Sequence, residues 1–296
     1  MDVDRSVTHP PAGAVQRPVA RWRNGRVDEH IDCVAEEVPV AVVCNSRHFA
    51  VMMATPTDLD DFALGFALSE GLIAVPAELL ALHAQTQIEG VELHLTLPPE
   101  RAAALVRRER SLEGRSGCGI CGSRHLEDLL RVPPRVTASP RITGAALDAA
   151  LAQLADHQSL AAATGATHAA AWADDRGRIH LLREDVGRHN ALDKLIGALH
   201  RDDRSLDAGF AIVTSRASYE IAMKAASAGI AVLAAISAPT ALAISLADSA
   251  GLTLIGFARP GGCAVYTHAD RYAGQPAELR EAPYPAPPAR QPGDDA

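Results

Sequence analysis

The stretch Phe210-Ala211-Ile212-Val213-Thr214-Ser215-Arg216-Ala217-Ser218 decides the fold. Its apolar start reads as a short buried strand, Phe210–Thr214. Thr214-Ser215-Arg216 is a polar junction, and a helix follows over Ser218–Ala228. The unit then recurs: strand Ile230–Ile236, helix Thr240–Ala250, strand Leu252–Phe257. Upstream, His168–Ala173 and Arg178–Leu182 flank the turn Asp174-Asp175-Arg176-Gly177 as a hairpin, and Asn190–Leu199 reads as a helix. Strands alternating with helices of about ten residues imply an α/β layer with a largely parallel sheet.

Each junction in this half is polar: Thr214-Ser215-Arg216, Ser237-Ala238-Pro239-Thr240, and Arg259-Pro260-Gly261-Gly262 at the exit of the last strand. Ligands of such sheets bind beyond the carboxyl ends of the strands, where helix N-termini offer free N–H groups to phosphate. Caps and turns alone account for any one junction. Three junctions with Arg216 and Arg259 among them point to an anionic ligand.

The amino-terminal half has a different texture. From Val19 to Thr55 it is strand-like, and Val38–Cys44 and His48–Met53 flank Asn45-Ser46-Arg47, a hairpin signal. Thr57 and Asp60 approximate a capping box. Leu59, Phe62, Ala63, Phe66 and Ala67 follow at helical spacing, and Gly71 stops the helix after Ser69-Glu70. Val91–Leu97 alternates as a half-buried strand, 98–110 reads as a polar helix, and Gly144–His157 as an amphipathic one. The expected organisation is a disordered start (1–17), an N-terminal α+β sub-domain (18–112), a loop and linker (113–140), an α/β sub-domain (141–273) and a disordered tail (274–296).

Between the halves lies Gly117-Cys118-Gly119-Ile120-Cys121-Gly122, flanked by Arg115 and Arg124. A C-x-x-C among glycines binds metal, cycles between dithiol and disulfide, or carries sulfur. The arginines favour the thiolate, which is the reactive form. Structural zinc needs about four ligands, and only His125 stands near to help. A dithiol oxidoreductase motif usually opens a helix after a strand, unlike this one. The other cysteines, Cys33, Cys44 and Cys263, read as small buried hydrophobes, since an odd, sparse set is no disulfide framework.

Composition narrows the class. The 296 residues carry a net charge of −8, which argues against generic nucleic-acid binding. No apolar run reaches the length of a membrane span, and the polar start lacks a signal-peptide core, so a cytoplasmic protein is expected.

The chain resembles the formate dehydrogenase accessory sulfurtransferase family, FdhD. The resemblance rests on Ala54-Thr55-Pro56 with Gly65-Phe66 and Ser69-Glu70-Gly71; on the glycine-bracketed cysteines; and on His168-Ala169-Ala170. The run Glu184-Asp185-Val186-Gly187-Arg188-His189-Asn190-Ala191-Leu192-Asp193-Lys194 is its most specific part. Ser215–Ser218, Ser237–Thr240, Gly256–Arg259 and Val265-Tyr266 complete it, so it covers about residues 17–272.

The resemblance implies a cytidine-deaminase-like three-layer α/β core, a mobile C-x-x-C loop and a homodimer. It implies sulfur transfer from a cysteine desulfurase to the molybdenum cofactor in its bis-molybdopterin guanine dinucleotide form, for formate dehydrogenase. Cys118 then holds the persulfide and Cys121 assists its release. The cofactor segment falls on Phe257, Ala258, Arg259, Pro260, Gly261 and Gly262, with Arg216 on the same rim, and GDP serves as a fragment mimic. In the family a second basic residue often stands at the place of Gly262. Here Arg259 stands alone, which leaves phosphate contact to the N–H groups of Gly261 and Gly262.

Deamination, which such a core invites, needs H-x-E and then P-C-x-x-C. His168-Ala169-Ala170 lacks the Glu, no proline precedes Cys118, and the order is reversed. A non-enzymatic cofactor chaperone would use the arginine rim without sulfur chemistry. His189, beside Arg188 and near Asp193, is a further site candidate at a helix start.

Overall fold

The computed structural model describes residues 9–103 and 133–273. Strands β1 (Ala14–Arg23) and β2 (Arg26–Ala35) form an antiparallel hairpin. Its turn, Asn24-Gly25, has both φ angles positive, at 51° and 78°, as a tight two-residue hairpin turn requires. The strand thus starts at Ala14, inside the 1–17 segment expected to be disordered. Ala14 pairs with Ala35 at the hairpin base and is buried there. Strands β3 (Val38–Cys44) and β4 (Arg47–Ala54) form the expected second hairpin, turning at Asn45-Ser46.

Helix α1 (Leu59–Ser69) ends before Gly71, whose φ of 68° suits a helix stop. Its start differs from the expected capping box. The residue before the helix is Asp58, in a left-handed conformation and with no side-chain cap. Thr57 is drawn away: its Oγ1 lies 3.5 Å from Lys194 Nζ. Strands β5 (Ala81–Thr86) and β6 (Val91–Thr96) complete a four-stranded sheet of order β4-β3-β6-β5. Residues 99–103 are helical; the rest of the helix expected to 110 lies outside the described residues.

In the second half, β7 (Ile142–Thr143) leads into α2 (Gly144–Leu154), where Thr143 Oγ1 accepts the Ala146 N–H at 3.1 Å as an N-cap. A short helix, α3 (Ser159–Thr164), follows. Then come β8 (His168–Ala173), β9 (Ile179–Asp185), α4 (Arg188–Arg201), β10 (Phe210–Val213), α5 (Tyr219–Ser227), β11 (Val232–Ala235) and α6 (Ala241–Ala250). Strands β12 (Thr253–Arg259), β13 (Gly262–Val265) and β14 (Tyr272–Ala273) end the described chain.

The central sheet has the order β13-β12-β11-β10-β8-β9. Only β10-β11 and β11-β12 are parallel; β8, β9 and β13 add antiparallel pairs. The sheet is therefore mixed, not largely parallel. The βαβ units pair in parallel, and hairpins flank them on both sides.

Residues alternate between two cores, as strand geometry dictates. Ala211, Val213, Leu233, Ala235 and Leu254 face α4, α5 and α6. Phe210, Ile212, Val232, Ala234 and Ile255 face Ala146, Leu147, Ala150 and Leu154 of α2. Helices thus cover both faces in three layers. The first core does not stop at the central sheet. It runs on through Phe62 and Phe66 of α1 to Val40, Val42, Leu93 and Leu95 of the four-stranded sheet, so the described parts of the two halves share one interior.

Two glycines set the approach of α1 to α4. A β-carbon on Gly65 would strike the Asp193 carbonyl, and one on Gly197 would strike the Asp61 carbonyl. The helices cross backbone to backbone, and this is why Gly65 stands inside a helix, where glycine is otherwise costly.

Candidate functional site

The run Glu184–Lys194 bends from β9 into α4, and its polar side chains point inward. Asp185 and Lys194 form an ion pair of 2.7 Å with both side chains fully buried. Asp185 Oδ2 accepts the Thr55 N–H at 3.0 Å, and Oδ1 accepts the Gly187 N–H at 2.7 Å. Asn190 Nδ2 donates to Asp185 Oδ1 at 3.0 Å and to the Met53 carbonyl at 2.8 Å. Lys194 Nζ also donates to the Thr55 carbonyl at 3.0 Å. The charges of Asp185 and Lys194 are thus both paired and hydrogen-bonded, as a buried charge demands. The run is a staple that fixes the β4–α1 turn to the start of α4.

A second cluster braces the same helices. Lys224 Nζ lies 2.9 Å from Asp193 Oδ2 and 2.9 Å from Glu70 Oε1, and Ser69 Oγ donates to Asp193 Oδ1 at 2.6 Å. Burial works against the Lys224 ammonium, but the charges of Asp193 and Glu70 outweigh it and hold its pKa above the ordinary lysine value. Asp193 is thereby spoken for and does not join His189.

What the staple positions is the carboxyl rim of the central sheet. Arg216, just past β10, is exposed, and its guanidinium has no carboxylate partner among the described residues. The Ser215–Ser218 and Ser237–Thr240 junctions run side by side, joined by Ala217 N–H to the Ala238 carbonyl at 3.2 Å and Thr240 N–H to the Ala217 carbonyl at 3.0 Å. Ser218 and Thr240 cap α5 and α6 by accepting the N–H groups of Ile221 and Ala243.

The third junction is not a helix start. Strand β12 continues to Arg259, Pro260-Gly261 makes a tight turn, and Gly262 pairs back with Arg259. The turn needs Gly261, whose φ is 79°. Arg259 Nη1 donates to the Ile236 carbonyl at 2.6 Å, so its guanidinium leans onto the end of β11. Arg216 and Arg259 therefore lie past the ends of β10 and β12, the two neighbours of β11. Phe257 is half-exposed on this rim with a φ of 52°, an uncommon conformation for a bulky residue.

Two details concern the expected cofactor segment. Ala258 is buried against the α2 layer, so its side chain does not reach the rim. The Gly261 N–H, expected to be open to phosphate, donates to Asp148 Oδ1 of α2 at 2.9 Å. Cys118 and Cys121 lie outside the described residues. Of the remaining cysteines, Cys33 and Cys44 are buried as expected and Cys263 only partly so.

Four further rim residues come from α4, β8 and α5. His189 Nε2 lies 2.8 Å from Glu220 Oε2, close but not aligned as a hydrogen bond. Arg188 Nε is buried with no hydrogen-bond partner among the described residues. Burial pushes the His168 pKa down, and the charges of Arg188 and His189 push it the same way. Nothing in the sequence links Glu220 to His189; only the packing of α5 beside α4 does.

Arginines and histidines thus gather at the carboxyl rim of a three-layer α/β fold, the edge at which ligands of such sheets bind. The chain belongs to the FdhD/NarQ family, whose model matches residues 35–273. It is 60% identical over 260 residues to the "Sulfur carrier protein FdhD" of Xanthomonas oryzae pv. oryzae (strain MAFF 311018), covering 88% of this chain and 92% of that protein. The protein of the same name from Cupriavidus necator (strain H16) is 47% identical over 270 residues, covering 89% and 94%. In fold, the chain is similar to a Desulfotalea psychrophila crystal structure described as a formate dehydrogenase accessory protein. The TM-score is 0.67 at 22% identity, over 88% of this chain and 99% of that one. Among the described residues, no helix is long and apolar enough to cross a membrane.

Proposed function

We propose that this protein is a sulfurtransferase: it carries persulfide sulfur from a cysteine desulfurase to the molybdenum cofactor, in bis-molybdopterin guanine dinucleotide form, in support of formate dehydrogenase. The observation that carries this reading is 60% identity over most of the chain to a protein named as an FdhD sulfur carrier.

In the first step the Cys118 thiolate attacks the outer sulfur of the donor persulfide. That S–S bond breaks, the desulfurase cysteine leaves as thiolate, and Cys118 keeps the sulfur. In the second, Cys121 attacks the inner sulfur. Sulfide leaves toward the acceptor with both electrons of the broken bond, and a Cys118–Cys121 disulfide forms. A thiol reductant then resets the pair. The arginine rim supports the acceptor side, because guanidinium grips phosphate bidentately.

Intact-mass spectrometry after incubation with cysteine and a desulfurase tests the reading. One added sulfur atom on the wild type, absent in Cys118→Ala, is expected. If Cys118→Ala still gains sulfur and Cys121→Ala does not, the two cysteines exchange roles. If neither substitution matters, the sulfur-carrier reading fails.

The rim is tested separately by titrating GDP calorimetrically. Arg259→Ala should weaken binding by about 1–3 kcal/mol, the scale of a lost charge-assisted bond, and leave sulfur loading of Cys118 intact. Equal affinities would remove Arg259 from the ligand site.

A further inference from the structure

Arg188 is the first residue of α4, and its Nε is buried with no hydrogen-bond partner among the described residues. A buried donor left unpaired costs free energy, so each such group calls for an explanation. The acids of its own run do not supply a partner. Glu184 accepts the N–H groups of Leu160 and Ala161 at 2.8 and 2.7 Å. Asp185 is paired with Lys194, and Asp193 with Lys224. These three carboxylates are turned elsewhere, and the Arg188 charge is left over.

The groups around it come from several elements. His168 opens β8 and stands opposite Asp185 of β9. Asp185 Oδ1 accepts the Gly187 N–H at 2.7 Å, which holds the start of α4 at that strand end. On the other side of β8, the Ala169 N–H donates to Thr214 Oγ1 at 2.9 Å, so the end of β10 joins the same corner. From α5, Glu220 Oε2 lies 2.8 Å from His189 Nε2, and both side chains are 21% exposed. The corner is therefore reachable from solvent.

The charges decide what fits. Burial pushes the His168 pKa down, and the Arg188 and His189 charges add to this, so its ring is neutral at neutral pH. Glu220 offsets His189. What remains is the single positive charge of Arg188. Glu220 also repels a multiply charged group such as a phosphate dianion.

We propose that Arg188, His168 and His189 form a binding site for one small, singly charged anion, either hydrosulfide or a simple carboxylate such as formate. Arg188 supplies the charge and the unpaired Nε–H, and Glu220 orients the His189 ring. The hydrosulfide case deepens the sulfur-carrier reading, since sulfide is what that reading releases; binding itself is measured with no sulfur transfer.

The test titrates the full chain with sodium hydrosulfide under nitrogen, with sodium formate and with sodium phosphate, at constant ionic strength. Histidine ring signals are followed by NMR. Those of His168 and His189 should shift together and saturate with hydrosulfide or formate. That of His180, held by Asp174 at the far end of the β8–β9 hairpin, should not move. Arg188→Met should raise the Kd at least about tenfold, the effect of losing a charge-assisted bond. Arg176→Met, which removes an equal charge from an exposed turn, should leave the Kd unchanged. Tighter hydrosulfide assigns the site to sulfur transfer and tighter formate to a carboxylate; either supports the proposal. If Arg188→Met does not fold, the wild-type shifts still decide. No saturable shift of His168 and His189, an unchanged Kd in Arg188→Met, or phosphate bound most tightly overturns the proposal. A Cys118 that gains no sulfur would end the sulfur-carrier reading and leave this site standing.

Discussion

Lys194→Ala is expected to destabilise the fold by about 3–5 kcal/mol, the scale for removing one partner of a buried ion pair. The pair it breaks is 2.7 Å long and fully shielded from water. Asp185 would keep its N–H donors from Thr55 and Gly187 and the Asn190 amide. Those bonds hold the carboxylate in place but do not cancel its charge. The carbonyl of Thr55 would lose its ammonium donor as well. The urea midpoint should fall with little change in the slope of the transition. A companion change, Asp185→Asn with Lys194→Met, removes both charges and should recover part of the loss. A Lys194→Ala midpoint equal to that of the wild type would contradict the assigned role of the Glu184–Lys194 run.

Gly65→Val is expected to cost about 3 kcal/mol or more, at the upper end for overpacking a tight interior. The new side chain meets the backbone of Asp193, which cannot rotate away as a side chain does. Relief requires α1 and α4 to separate. That separation pulls Asp193 from Lys224 and Ser69 and so loosens a second cluster. Gly197→Ala should act on the same contact from the other helix, through the Asp61 carbonyl. The two substitutions together should therefore cost less than their sum, because one separation relieves both. Thermal unfolding of the two single variants and the double reads this directly. Simple additivity would mean that the two glycines are independent.

The sequence makes periodic features legible. The strand–helix units from Phe210 to Phe257, the hairpin at Asn45-Ser46 and the stop at Gly71 each rest on local chemistry. Helix α3 is too short at six residues to show a period. Strand β13 follows a turn that reads equally well as the exit of a sheet. The rim arginines, Arg216 and Arg259, were legible because junction chemistry is local. Asp148 was not, since it reaches the Gly261 amide from 113 residues away. The same holds for the staple. Asp185 and Lys194 announce themselves as a motif, but their partners Thr55 and Met53 belong to another part of the chain. Sequence spacing reports neighbours along the chain; it is silent on contacts made only after folding.

The bond from Thr55 to Asp185 spans 130 residues, and this has a consequence for how the protein is made. A ribosome adds about 5–20 residues per second, so Asp185 follows Thr55 into existence after a delay on the order of ten seconds. Throughout that interval α1 has no α4 to lie against. The side of α1 that will meet α4 stays open to water and to other nascent chains. The half that emerges first cannot finish alone; it waits for the second half, and during that wait a chaperone would have most to protect.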